Sequence, residues 1–208
     1  MTFVKICGIT SVEDAIACVN LGANLLGFVF AESPRQVDAS TVKHIQRIVG
    51  GDVKTVGVFT EESDEVLRII DECHLTYAQL HGFQTEEFAA KIGASRVIRA
   101  IRVKNEFSIE NIPEFPEAGF YLLDTYKKGV AGGTGETFDW NLAVRAKDYG
   151  KPIFLSGGLG PDNVENAVGT VRPFAVDVSS GVEQSAGIKD HLRVKEFIEN
   201  VRKADSGS

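Results

Sequence analysis

The chain is poor in the residues that usually mark a special environment. Its 208 residues include one methionine, one tryptophan, three cysteines and four histidines. Cys7, Cys18 and Cys73 are odd in number and far apart, which excludes a disulfide framework and a zinc motif and suits a reducing compartment. Four histidines without clustered carboxylates give no pattern for a metal, so no metal is expected. No apolar run approaches the about 18 residues of a membrane span, and the N-terminus lacks the basic segment and apolar stretch of a signal peptide. No membrane association and a cytoplasmic location are therefore expected. Positive charge is also short. A formal net charge of −7 leaves no basic field for nucleic acid, so an anionic ligand must be held by local donors.

What the chain does have is alternation. At 43% apolar residues it can bury one sizeable core, and its composition changes little from end to end. Residues 1–203 are expected to form a single domain, with 204–208 as a flexible tail. Apolar runs that read as buried strands lie at 3–6, 25–30, 53–59, 77–80, 97–101, 120–123, 153–155 and 175–178. Amphipathic stretches at 11–23, 38–49, 63–73, 85–92, 139–149, 162–168 and 189–201 lie between and after them, often opening on Asp, Ser or Thr. The connection 105–118 contains Pro113 and Pro116 and predicts a short or irregular helix. Strand and helix in repeated alternation predict an α/β fold, a compact (β/α)8 TIM barrel. Parallel strands need crossover helices, and a closed sheet has no edges. An open doubly wound sheet would carry G-x-G-x-x-G after its first strand, where this chain reads CGITS.

In such barrels chemistry gathers where strands end. Cys7 ends the first run and is followed at once by Gly8, so strand, stop and helix start meet at a thiol. Strand alternation puts Lys5 and Cys7 on one face, and Lys5 is expected to favour the thiolate. Lowering a thiol pKa from about 8.5 to about 7 takes roughly 2 kcal/mol, within reach of one partly desolvated cation. Packing as a small hydrophobe is the alternative for Cys7, and it is the reading for Cys18 and Cys73, which fall on apolar helix faces. Asp124 closes the sixth run, FYLLDT at 120–125, where a carboxylate is expected to act as an acid or else to cap a loop. Two late loops suit phosphate: LSGGLG at 155–160, with Gly157 and Gly158, and DVSSGVE at 177–183, with Ser179, Ser180 and Gly181 at a possible helix start. GGTG at 132–135 lacks the Gly-Lys-Ser/Thr of a P-loop and reads as a mobile covering loop. Arg35 follows Pro34 in a rigid turn and is expected to grip a carboxylate, while His81 shares a strand face with Gln79 and lines the mouth.

KICGIT at 5–10, GFVF at 27–30, SPR at 33–35, VGVF at 56–59, QLHG at 79–82, LLDT at 122–125, GGTG at 132–135 with FDW at 138–140, LSGGLG and DVSSGVE together resemble the phosphoribosylanthranilate isomerases of tryptophan biosynthesis. The resemblance runs from the first strand almost to the last helix. The connection at 31–35 is shorter than in many members, and Ala186 stands where a proline is common. The resemblance implies an Amadori rearrangement of N-(5-phosphoribosyl)anthranilate to 1-(2-carboxyphenylamino)-1-deoxyribulose 5-phosphate, with no cofactor. It implies Asp124 as general acid, Cys7 as general base, Arg35 on the anthranilate carboxylate and Asp177 on a sugar hydroxyl. The backbone of Gly157, Gly158, Ser179, Ser180 and Gly181 would hold the phosphate. Lys5 and His81 complete the expected substrate-binding set.

Rival readings are the aminoaldose-phosphate isomerase of histidine biosynthesis, which resembles a two-carboxylate pattern, and a non-catalytic phosphate-ligand binding module, which needs neither Cys7 nor Asp124. A ribulose-phosphate epimerase would want histidines and acids for a metal. The expected partner is a small-molecule substrate; monomer and homodimer both remain open.

Overall fold

The computed structural model describes residues 1–125 and 137–207. Eight parallel strands close into a barrel: β1 (Phe3–Cys7), β2 (Leu25–Val29), β3 (Lys54–Phe59), β4 (Tyr77–Leu80), β5 (Val97–Val103), β6 (Phe120–Thr125), β7 (Ile153–Leu155) and β8 (Ala175–Val178). β1 closes the circle on β8, with Phe3 opposite Ala175 and Lys5 opposite Asp177. The helices are α1 (Val12–Leu21), α2 (Ala39–Val49), α3 (Asp64–Glu72), α4 (Glu86–Ile92), α5 (Glu106–Glu110), α6 (Trp140–Ala146), α7 (Pro161–Val171) and α8 (His191–Ser206). The expected barrel is thus the observed one. As the prolines predict, the fifth connection holds only α5 and one 3₁₀ turn at Ile112–Glu114.

Capping residues start the helices where the sequence suggests. Ser11, Asp38, Ser63 and Thr85 accept from the amides of Asp14, Thr41, Val66 and Phe88, each satisfying a first-turn donor that has no partner within its own helix. The last helix departs from expectation at both ends. Residues 183–189 form a small antiparallel hairpin, β9 (Glu183–Ser185) with β10 (Ile188–Lys189), and α8 begins only after its cap Asp190. At the other end, α8 continues through Ser206, so residues 204–206 are helix rather than tail. Asp205 explains this: it accepts from the Thr2 amide at 2.7 Å and the Thr2 hydroxyl at 2.8 Å, tying the helix end to the start of β1.

Side chains alternate across the barrel wall. Val4, Ile6, Leu26, Phe28, Ala78, Leu80, Tyr121, Leu123, Val176 and Val178 point outward into the large core between strands and helices. Inward, the lower barrel is filled by Leu25, Val56, Ile98, Leu122, Phe154 and Ala175, with Tyr77, Phe120 and Phe174 packed against them. Aromatic edges close this plug, Phe120 meeting Phe154 at 5.7 Å and 86°. Among the described residues, no helix is long and apolar enough to cross a membrane.

Candidate active site

A cleft of about 480 Å³ opens at the C-terminal ends of the strands. The same inward parity that packs the lower plug delivers its walls: Cys7 from β1, Gln79 and His81 from and after β4, Arg102 from β5, Asp124 from β6, Ser156 after β7 and Asp177 from β8. Cys7 and Asp124, distant in sequence, face one space.

Cys7 is buried but reaches the cleft, and Lys5 lies directly beneath it with no solvent exposure. The Lys5 ammonium donates to Asp177 Oδ1 at 2.8 Å and to Gln79 Oε1 at 2.9 Å. Gly27 makes room for both groups: it pairs with Cys7 across the sheet, and a Cβ there would stand 2.8 Å from the Cys7 Sγ and 3.1 Å from the Lys5 Cε. Burial alone would depress the Lys5 pKa, but Asp177 and Cys7 beside it outweigh that and raise it. The expectation for the thiol is reversed. Burial pushes Cys7 up, Lys5 pulls it down and the negative Asp177 pushes it up again, so the net shift is upward from 9.0. One cation shared with a carboxylate does not offset the desolvation of a thiolate. Lys5 also falls short of the cleft surface, so in this structure it supports the site from below and does not line it as a ligand contact.

Asp177, expected on a sugar hydroxyl, already accepts from Lys5 on one oxygen and from the Ser156 hydroxyl on the other at 3.1 Å, while still lining the cleft. From Gln79 the polar chain continues to His81, with Nε2 of Gln79 3.1 Å from Nδ1, and then to Asp124, 3.5 Å from Nε2 of the imidazole. The carboxyl of Asp124 is partly exposed to the cleft. The phosphate candidates also converge. Gly157 and Gly158 take φ of 84° and 71°, and both line the cleft with Ser179, Ser180 and Gly181. A Cβ on Gly181 would collide with the Leu159 carbonyl, so the two loops lie in direct contact. The expected helix start is one 3₁₀ turn, Ser180–Val182. GGTG at 132–135 lies outside the described residues.

Arg35 lines the mouth, but Glu183 already holds its guanidinium, accepting from Nε at 2.9 Å and from Nη2 at 2.7 Å. Lys189, fully buried, donates to the same carboxylate at 2.8 Å and to the Cys7 carbonyl at 2.6 Å. Arg102, Ser156, Glu183 and Lys189 are the site residues that sequence reasoning missed. Arg102 was within reach, since Ile98, Ala100 and Arg102 share one face of the strand by the same alternation that relates Lys5 to Cys7. Ser156 likewise follows Phe154 on the inward face of β7. Glu183 stood at the end of a quoted loop but lacked a visible partner, and Lys189 was absorbed into the expected last helix.

The model of the family described as N-(5'phosphoribosyl)anthranilate (PRA) isomerase matches residues 4–200. The chain belongs to the phosphoribosylanthranilate isomerase family. The N-(5'-phosphoribosyl)anthranilate isomerase of Geotalea uraniireducens is 47% identical over 204 residues, 97% of this chain and 99% of its own. That of Pseudomonas fluorescens is 47% identical over 203 residues, 95% and 97% of the two chains. Among solved structures, the phosphoribosyl anthranilate isomerase of Thermotoga maritima superposes with a TM-score of 0.90 at 42% identity, covering 98% of this chain and 100% of its own. A structure of a phosphoribosyl anthranilate isomerase in complex with reduced 1-(o-carboxyphenylamino)-1-deoxyribulose 5-phosphate gives 0.87 at 41% identity, with 98% and 100% covered. This membership favours the isomerase of the tryptophan route over the rival readings.

Proposed function

We propose that this chain converts N-(5-phosphoribosyl)anthranilate to 1-(2-carboxyphenylamino)-1-deoxyribulose 5-phosphate, with Asp124 as general acid and Cys7 as general base. The observation that carries the assignment is the placement of these two proton-transfer groups around one cleft, beside two glycine-containing loops in contact. Asp124 gives its proton to the furanose ring oxygen, the C1–O bond breaks, and the nitrogen lone pair forms a protonated imine. That cation acidifies the C2 proton. Cys7, as thiolate, removes it, and the C–H electron pair moves into a C1–C2 double bond as the nitrogen recovers its electrons. The enolamine then becomes the ketone by gaining a proton at C1 and losing the one on the C2 oxygen.

This order fits a thiol whose pKa is raised by burial. The imine supplies, beside Cys7, the positive charge that Lys5 alone does not supply in excess over Asp177. Ring opening therefore precedes proton abstraction, and the charge of the imine stabilises the Cys7 thiolate that carries it out. The phosphate is held by the backbone of Gly157, Gly158, Ser179, Ser180 and Gly181, and the anthranilate carboxylate by Arg35. His81 sits against Asp124 and orients its carboxyl.

The test is turnover by the purified chain of phosphoribosylanthranilate generated in place and followed by its fluorescence. Consumption with formation of the ketose is expected. Binding of the substrate without consumption would replace the isomerase reading by that of a binding module.

A further inference from the structure

One cluster beside the cleft has no role in the proton transfers. Glu183 is nearly inaccessible and carries four hydrogen bonds: from Arg35 Nε and Nη2, from Lys189 Nζ at 2.8 Å and from the Gly187 amide at 3.4 Å. Lys189 completes its own set on the Cys7 carbonyl at 2.6 Å and the Ser179 carbonyl at 3.5 Å. The Arg35 stem lies across Gly8, where a Cβ would stand 2.6 Å from its Cδ and 3.2 Å from the Ser179 hydroxyl. Arg35 is therefore fixed along one edge of its guanidinium. Nη1 has no partner among the described residues, and the side chain stays partly open to the cleft.

A guanidinium offers two paired-donor edges, side-on through Nε with one Nη and end-on through both Nη atoms. Glu183 occupies the first. We propose that Glu183 is a positioning residue for substrate recognition: by gripping the side-on edge it presents the end-on edge of Arg35 to the anthranilate carboxylate. Lys189 anchors Glu183 to the strand ends that carry Cys7 and Ser179. Arg35, Glu183 and Lys189 together comprise two cations and one carboxylate, which leaves one positive charge for the incoming anion. The alternative role for the same contact is competition, in which Glu183 must release Arg35 before substrate can bind. Two features oppose that role: the buried Lys189 would be left with backbone carbonyls alone, and the free edge makes release unnecessary.

The inference rests on Arg35 as the carboxylate-binding residue, and the experiment separates the two. Dissociation constants are measured for two ligands, the reduced product and its aniline counterpart without the carboxylate, on wild type, Arg35→Ala and Glu183→Gln. Glutamine keeps one acceptor but cannot hold a paired fork. Glu183→Gln is expected to weaken the carboxylate ligand about tenfold or more while moving the aniline ligand far less, the pattern of Arg35→Ala on a smaller scale. Equal loss on both ligands in Glu183→Gln, with selective loss in Arg35→Ala, would make Glu183 a merely structural residue. Tighter binding of the carboxylate ligand in Glu183→Gln would make it a competitor. Equal loss on both ligands in Arg35→Ala would overturn the assignment of Arg35 and this proposal with it. Because Glu183→Gln removes the carboxylate facing a buried ammonium, Glu183→Gln with Lys189→Met is measured beside it, and the same selective loss is expected.

Discussion

Below its middle the barrel is filled by Leu25, Val56, Ile98, Leu122 and Phe154, one apolar plug without a charge. Toward the C-terminal ends of the barrel strands, the inward positions are Lys5, Cys7, Gln79, Asp124 and Asp177, several of them equally deep but linked by hydrogen bonds. The lower half excludes water and contributes folding energy by burial alone. The upper half spends part of that energy on desolvating ions, which are weak contributors to stability even when well paired. The two halves should therefore respond oppositely to substitution: the plug in stability, the mouth in activity.

The largest effect is expected at the boundary. Lys5→Met leaves Asp177 buried without its cation and should cost about 3–5 kcal/mol of stability together with most of kcat. Adding Asp177→Leu removes the stranded charge as well; stability measured in denaturant should recover substantially while activity stays low. Recovery of activity would show that the pair is structural. Phe154→Ala, in the plug, should cost about 3–5 kcal/mol through its cavity, yet kcat measured where the variant is still folded should stay close to wild type. A large fall in kcat there would erase the contrast between the halves.

Weaker effects sharpen the upper half. Arg35→Ala should raise KM about 10- to 100-fold and leave kcat comparatively intact, as steady-state kinetics would show. Glu183 has its pKa held below 4.5: burial by itself raises it, but the hydrogen bonds from Arg35 and Lys189 outweigh burial. A carboxylate lowered in the folded state stabilises fully above its unfolded value and loses that contribution as pH falls through the folded one. Thermal unfolding of Glu183→Gln should thus be less sensitive to pH below about 4.5 than that of wild type. Cys7 runs the other way. Its raised pKa predicts that alkylation by iodoacetamide, resolved by mass spectrometry, rises with pH to a midpoint above 9.0, and that stability falls as pH climbs past that value because only the unfolded thiol ionises readily. An alkylation midpoint near 7 would restore the role first given to Lys5.

The contrast between the halves was partly legible in the sequence. Period-two alternation put Lys5 and Cys7 of KIC at 5–7 on one strand face, and Asp124 stood out because it closes the apolar run FYLLDT at 120–125. What alternation does not encode is depth and long-range pairing. The net direction of the Cys7 shift depends on how completely the thiol is desolvated and on Asp177, which lies at the far end of the chain. Arg35 looked free because its partner Glu183 is 148 residues away. The hairpin that holds Glu183 and Lys189 has strands of three and two residues, too short for any period to show. Lys189 was hidden for the same reason: in sequence it is one more charged residue before a helix, and only the folded hairpin buries it.

The most direct test of the account is kcat for phosphoribosylanthranilate turnover in wild type, Cys7→Ser and Asp124→Asn, with thermal unfolding recorded on the same samples. The account predicts losses of about 10²- to 10⁴-fold in both variants with unfolding temperatures near wild type. Near-wild-type kcat in either folded variant would contradict it.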